Sequence, residues 1–177
     1  MNKYSTNYYP DEGREPFMNF ISPTAGKVTM DQVTQLIERY TEEDPKGKYR
    51  IVIGTDSQTS RKATQFVTAI IIHRVGKGAR IFYRKVKHKP IHELRHRIYK
   101  ETEMSLELME LLKEEGFSAL LEKWPIEIHL DVGKQGETRK VIQEVVGWVT
   151  SVGYIARIKP DSYGASSVAD RYTKSIS

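Results

Sequence analysis

Residues 49–56 read Tyr-Arg-Ile-Val-Ile-Gly-Thr-Asp, an apolar run that ends in polar side chains. This pattern is typical of a strand that is buried in a sheet. A second run, rich in Val, Thr and Ile, spans 65–75, and a third spans 79–86 after a tight Gly76-Lys-Gly78 connection. Consecutive strands with short connections pair antiparallel, so these residues predict a meander of three antiparallel strands.

Helices and strands alternate after the meander. Apolar periodicity predicts a helix over about 91–114, a strand over 124–131, a helix over 137–152, a strand over 154–158 and a last helix over 165–174. The order β-β-β-α-β-α-β-α predicts an α/β fold with a five-stranded mixed sheet flanked by helices. It matches the ribonuclease H-like sheet.

The N-terminal part of the chain has a different composition. Residues 1–28 contain three prolines and two glycines and are predicted to form an irregular arm. The segment Thr29-Met-Asp-Gln32 has the form of a capping box and predicts an extra helix over 29–43. We therefore expect one ribonuclease H-like domain over 29–177, with its core at 49–175.

Composition excludes several classes of protein. The 177 residues include no cysteine, which excludes disulfides, thiolate metal sites and a cysteine nucleophile. The longest apolar stretch, 66–72, is 7 residues long, whereas a membrane span needs about 20. The polar, Tyr-rich first ten residues lack the apolar core of a signal peptide. These features predict a cytoplasmic protein without a membrane partner; the oligomeric state stays open.

Basic residues are concentrated in one window of the chain. The net charge is +5, and residues 84–100 contain seven basic residues against one acid. A basic patch on a nearly neutral body is typical of proteins that bind nucleic acid, although a solvated surface gives the same pattern. The candidate nucleic-acid contacts in this window are Arg84, Lys85, Lys87, Lys89, Arg95 and Arg97.

Two aspartates come at the ends of predicted neighbouring strands. Asp56 ends the first strand of the meander, and Asp131 ends the fourth strand. Sites in open α/β sheets gather at the carboxyl ends of strands. Two adjacent carboxylates repel each other unless a cation joins them, and Mg²⁺ or Mn²⁺ prefers such oxygen ligands. The alternative is that each aspartate caps its strand or the following turn.

Helical periodicity selects one acid of the long helix. Glu101 lies in the middle of the apolar stripe, whereas Glu103, Glu107 and Glu110 fall on the opposite, wet side. A carboxylate among apolar side chains is costly unless it is paired or bound. Asp170 lies among small residues of the predicted last helix. Its local sequence alone is that of an ordinary surface residue, and only the expected fold makes it a candidate.

Three segments carry a family resemblance. Ile53-Gly-Thr-Asp-Ser-Gln58, Ile128-His-Leu-Asp-Val-Gly133, and Lys159-Pro160 followed by Ser167-Val-Ala-Asp-Arg-Tyr-Thr-Lys174 resemble the YkuK-like family, an uncharacterised branch of the ribonuclease H-like superfamily. The likeness extends over about 17–174. It implies that Asp56, Glu101, Asp131 and Asp170 are catalytic carboxylates that hold two divalent cations, Mg²⁺ or Mn²⁺.

This set of residues predicts a metal-dependent nuclease that hydrolyses phosphodiester bonds. Ser57, Gln58 and Lys174 are further candidate nucleic-acid contacts, and Lys174 could equally pair with Asp170. His129 shares strand parity with Asp131 and could assist proton movement, although a buried histidine is the plainer interpretation. His92 and His96 are expected on the wet face.

Other functions fit the sequence less well. A Gly-rich phosphate loop and the Gly-x-Ser-x-Gly hydrolase pattern are both absent. A proofreading exonuclease would carry Asp-x-Glu on the first strand, where this chain has Gln58. The main alternative is a non-catalytic nucleic-acid-binding or scaffolding protein that retains the fold. RNA, an RNA–DNA hybrid and structured DNA all remain open as substrates, with endo- or exonuclease action.

Overall fold

The computed structural model of the protein describes residues 19–133 and 138–163. Its elements in chain order are β1 (Asn19–Ser22), β2 (Gly26–Thr29), α1 (Met30–Glu42), β3 (Tyr49–Thr59), β4 (Thr64–Arg74), β5 (Gly78–His88), α2 (Leu94–Leu112), a π-helical turn (Lys113–Phe117), α3 (Ser118–Lys123), β6 (Ile126–His129), α4 (Arg139–Ser151) and β7 (Ile155–Arg157). The predicted last helix, 165–174, lies outside the described residues.

The central meander is confirmed. Strands β3, β4 and β5 have 11 residues each, and each pairs antiparallel with the next along its whole length. Strands β6 and β7 then add in parallel, β6 beside β3 and β7 beside β6. The predicted neighbours β3 and β6 are therefore paired, and both run toward the same edge of the sheet.

The sheet has seven strands, and the prediction of five was wrong. The strand order is β2-β1-β5-β4-β3-β6-β7, so the five predicted strands form a continuous block and a hairpin extends it. This hairpin, β1 and β2, lies within the segment that was expected to be irregular. Phe20 and Val28 are buried, and Gly26 takes a positive φ of 75° at the turn. Strands of 4 residues carry too little alternation to be recognised.

Helices α1, α2 and α4 cover one face of the sheet and form the main core with it. Thr29 caps α1 with the predicted capping box. The Thr29 hydroxyl accepts from the backbone N–H of Gln32, and the Gln32 side chain accepts from the backbone N–H of Thr29. Buried side chains of α1 and α4, such as Ile37 and Val145, belong to one cluster with Ile53 of β3 and Ile128 of β6. The described part of the chain has no helix long and apolar enough to cross a membrane.

Helix α2 begins three residues later than predicted. The backbone N–H of Ile91 donates to Thr64 Oγ1 at 2.7 Å, and its carbonyl accepts from Thr59 Oγ1 at 2.9 Å. These bonds hold Ile91 against the ends of β3 and β4, so the helix starts at Leu94. Gly116 adopts a positive φ of 86° after α2, and the unpredicted helix α3 follows.

Strand alternation gives the sheet a second face. Val52, Val67, Ala69, Ile71 and Tyr83 alternate with the main-core residues and form a separate buried cluster. Side chains of β6 also divide between the faces: Ile126 and Ile128 belong to the main core, whereas Glu127 and His129 have the opposite parity.

Candidate active site

Asp56 and Asp131 lie at the same edge of the sheet. The parallel ladder between β3 and β6 ends at the pair Gly54 and His129. Asp56 and Asp131 each come two residues after this last pair. Asp56 still belongs to β3, and both aspartates are partly buried. β3 continues to Thr59, so the prediction that Asp56 ends its strand was wrong, but both aspartates follow directly on the end of the β3–β6 ladder.

Glu101 reaches this edge from helix α2. The hydroxyl of Ser57, the residue after Asp56, donates to Glu101 Oε1 at 2.5 Å. One helical turn further on, the Ser105 hydroxyl lies 2.9 Å from that of Thr55, which also lies 3.0 Å from Thr68 Oγ1. These buried hydroxyl contacts hold α2 over the end of β3.

The environment of Glu101 favours its protonated form. Burial is the largest cause and raises the pKa of Glu101 to about 8; the hydrogen bond from Ser57 opposes this shift. The negative charges of Asp56 and Asp131 raise the pKa further, and Arg97, one turn before Glu101, lowers it. The charges of both predicted aspartates therefore act on Glu101.

Lys159 supplies a cation to the same edge. Its ammonium contacts Asp131 Oδ1 at 2.6 Å. The hydrogen bond and charge of Asp131 raise the pKa of Lys159, and the charge of Asp56 adds to this effect. The backbone N–H of Lys159 donates to the carbonyl of Val132 at 2.9 Å, which fixes the residue beside the loop after β6. Sequence reasoning used Lys159 only as part of a family motif and did not predict this contact.

The donor chemistry of these residues suits a hard divalent cation. Carboxylate oxygens are the ligands that Mg²⁺ and Mn²⁺ prefer. The raised pKa of Glu101 comes first from burial, and the charges of Asp56 and Asp131, which a cation would offset, add to it. Within residues 19–133 and 138–163, however, no group of three or more acidic or histidine side chains is gathered closely enough to hold a metal ion. Asp170, the predicted fourth ligand, lies outside the described residues.

His129 is held by two hydrogen bonds. The backbone N–H of Tyr163 donates to Nδ1 at 3.0 Å, so Nδ1 carries a lone pair and the proton of the neutral ring is on Nε2. Nε2 lies 3.1 Å from Glu127 Oε2. Burial lowers the pKa of His129, in agreement with a neutral ring. Both nitrogens are engaged, which favours the plainer interpretation of His129 as a buried structural residue.

The candidate basic residues do not form one surface. Strand alternation places Arg84 on the helix side of β5, where its guanidinium lies 5.9 Å from the Phe20 ring centre, and directs Lys85 and Lys87 to the second face. On α2, Arg95 pairs with Glu144 at 3.4 Å and Arg97 lies one turn from Glu101.

The remaining candidates fall into two groups. Gln58, Lys89, His92 and His96 are exposed, the two histidines as expected. Lys174, like the predicted last helix, is outside the described part of the chain.

The chain is similar in sequence to a known protein family and to a known protein. A family model described as ribonuclease H-like matches residues 32–174. The chain is 40% identical over 169 residues to the uncharacterized protein YkuK of Bacillus subtilis (strain 168), in a match that covers 88% of this chain and 96% of that protein. No solved structure matches the chain significantly. On the strength of the family match and the parallel β3–β6 pair with antiparallel β4 and β5 beside it, the chain belongs to the ribonuclease H-like family.

Proposed function

We propose that the protein is a metal-dependent nuclease that hydrolyses phosphodiester bonds of RNA, of an RNA–DNA hybrid or of structured DNA. The observation that carries this proposal is the partly buried carboxyl of Glu101, whose pKa is raised to about 8 by desolvation and by the charges of Asp56 and Asp131. Perturbed carboxyls of this kind concentrate at functional sites. Membership of the ribonuclease H-like family supports the same reaction class.

Each residue of the site has a proposed role. Asp56, Glu101 and Asp131 would hold Mg²⁺ or Mn²⁺, with Asp170 as a fourth ligand. A bound divalent cation supplies the Lewis acidity that activates a water and stabilises the leaving 3′-oxygen. Ser57 is a positioning residue, because its hydroxyl fixes the orientation of the Glu101 carboxyl.

A cleavage assay tests the proposal. Labelled RNA, hybrid and branched DNA of one sequence are incubated with Mg²⁺, with Mn²⁺ or with EDTA. We expect cleavage of at least one substrate with metal and none with EDTA. Asp56→Asn should reduce the rate by about a hundredfold or more, as is typical for a group that stabilises transition-state charge. Glu103→Gln, on the solvent side of α2, is the matched control and should retain activity.

One observation favours the alternative, a non-catalytic nucleic-acid-binding protein. Lys159 already neutralises Asp131 at 2.6 Å, so this carboxylate has a partner within the chain. This alternative predicts salt-sensitive binding of nucleic acid with no cleavage under any metal condition. It also predicts no binding of Mn²⁺ in calorimetry at millimolar concentration, whereas the nuclease should bind the ion and lose this binding in Asp56→Asn.

A further inference from the structure

A second charged cluster lies on strand β6, four residues before Asp131. Its centre is Glu127, whose side chain is only 3% exposed. Glu127 Oε1 accepts from Arg50 Nη2 at 3.2 Å and from Arg157 Nε at 3.0 Å, while Oε2 faces His129. Although burial opposes it, the bonds from His129 and Arg157 hold the pKa of Glu127 below its usual value. The buried carboxylate thus fixes two guanidinium groups side by side.

The two arginines retain donors that face solvent. A guanidinium has five N–H groups, and the described contacts use one nitrogen each, Nη2 of Arg50 and Nε of Arg157. Their side chains are 43% and 41% exposed. Together with Glu127, Asp161 and Tyr163, they line an open cleft of about 280 Å³.

The charge of the cleft suits a singly charged ligand. Two guanidinium groups and the carboxylates of Glu127 and Asp161 line the cleft, and His129 is neutral because Nδ1 accepts from a backbone N–H. A set with nearly balanced charge suits an internal phosphodiester, which carries one negative charge and can accept from the guanidinium N–H groups that the described contacts leave unused. A dianionic terminal phosphate would meet more repulsion from the two carboxylates.

The cleft is built on the same strand that leads to the candidate active site. Asp131 follows Glu127 by four residues, just past the end of β6, so the two are at most about 13 Å apart along the chain. Tyr163, at the border of the cleft, packs its ring edge-on against His129 at 4.8 Å between centroids and remains 39% exposed. An exposed ring beside a phosphate site can stack a base of a single strand.

We propose that Arg50 and Arg157, oriented by Glu127, bind a backbone phosphodiester of the nucleic-acid strand that enters the carboxylate site. Tyr163 offers a stacking surface to the adjacent base. This inference rests on the proposed function, since it assigns a substrate contact to the same site. It adds two arginines from outside the basic window 84–100 that the sequence analysis singled out.

Binding without cleavage tests the inference. The probe is a fluorescein-labelled single-stranded 16-mer, as RNA and as DNA, titrated by anisotropy in EDTA at several salt concentrations. Arg50→Gln and Arg157→Gln should each weaken binding about tenfold, the loss expected for one charge-assisted hydrogen bond. Each should also reduce the slope of log affinity against log salt by about 0.7. Arg39→Gln, on the exposed side of α1 across the sheet, is the control and should change neither quantity.

Folding is checked separately, because removing an arginine leaves buried Glu127 with one partner fewer. Thermal unfolding is measured for each variant. Arg157→Lys keeps the ion pair and the charge but loses the planar fork, so it should fold and still bind the strand more weakly than the wild type.

The outcomes separate this inference from the proposed nuclease. Arginine-dependent binding supports the phosphate site, even when no metal-dependent cleavage is found. Variants that fold and bind within twofold of the wild type overturn it, even when cleavage by the wild type establishes the nuclease. Absence of strand binding by the wild type overturns it as well.

Discussion

Replacing Glu101 by glutamine is expected to remove the fall in stability that this carboxyl causes between about pH 5 and about pH 8. The pKa of this carboxyl is 4.5 in the unfolded chain and about 8 in the fold. Between these values the folded state binds more protons than the unfolded state, so the free energy of unfolding falls as the pH rises. The glutamine side chain has no proton to release and can still accept the hydrogen bond from Ser57.

The size of the effect follows from the pKa difference. One pH unit corresponds to about 1.4 kcal/mol for a group that is protonated only in the folded state. The wild type should lose roughly this amount per unit through the middle of the interval, and a few kcal/mol in all. Burial of the carboxylate is the first cause of this loss, and the charges of Asp56 and Asp131 are the next.

Urea unfolding measures the difference directly. The wild type and Glu101→Gln are unfolded in EDTA at several values from about pH 5 to about pH 9, with Trp124 and Trp148 as fluorescence reporters. Glu103→Gln is the matched control, because Glu103 lies two residues away on the same helix and pairs with Lys100. It should keep the wild-type pH profile.

Two results bear on the reasoning. Equal pH profiles for the wild type and Glu101→Gln would refute the raised pKa and remove the main support for the carboxylate site. Saturating Mn²⁺ should flatten the wild-type profile at its basic end, because a bound cation favours the ionised carboxylate and stabilises the folded state. A wild-type profile that Mn²⁺ leaves unchanged would argue against metal binding at Glu101.

Three further substitutions test neighbouring features. Lys159→Gln should raise Mn²⁺ affinity about fivefold in calorimetry, because a half-exposed ion pair with Asp131 contributes about 1 kcal/mol and competes with the ion; unchanged affinity would contradict this competition. Ser57→Ala should shift the pH dependence of Mn²⁺ affinity to higher pH. The hydrogen bond from Ser57 lowers the pKa of Glu101, so its removal raises this pKa and the carboxylate forms only at higher pH. A shift to lower pH would contradict this argument. Thr29→Ala should reduce the free energy of unfolding by about 1 kcal/mol in urea, because it removes the helix cap; an unchanged midpoint would mean that the cap contributes nothing.

The parts of the fold set by local patterns could be predicted from the sequence. The capping box at Thr29 depends on four consecutive residues, and the meander depends on runs with tight connections. Periodicity alone placed Glu101 on the buried side of α2, because an acid among regularly spaced apolar residues stands out. The main-core helices and the five-strand block follow from the same kind of signal.

The remaining features depend on contacts between distant parts of the chain. Lys159 reaches Asp131 because β7 lies beside β6, which no local pattern around Lys159 reveals. The hairpin β1–β2 is stabilised by joining β5, where Ile21 pairs with Tyr83, and its short strands give a weak signal. The sequence could have identified Glu127 as a candidate, since it stands between two isoleucines of a buried strand. As for Glu101, a carboxylate among apolar side chains is costly unless it is paired or bound.

The hydroxyl contacts between α2 and β3 have a geometric consequence. Glu101 and Ser105 are four residues apart, or about 6 Å along a helix axis, and their partners Ser57 and Thr55 are two residues apart, or about 6.6 Å along a strand. The two spacings nearly coincide, so both contacts form together in one alignment of helix and strand. A slip of α2 by one turn would bring Arg97 opposite Ser57 and Glu101 opposite Thr55, or, in the other direction, Ser105 opposite Ser57 and Met109 opposite Thr55. The contact between Thr55 and Ser105 therefore fixes the alignment of α2 along β3 and determines that Glu101 is the side chain that meets Ser57.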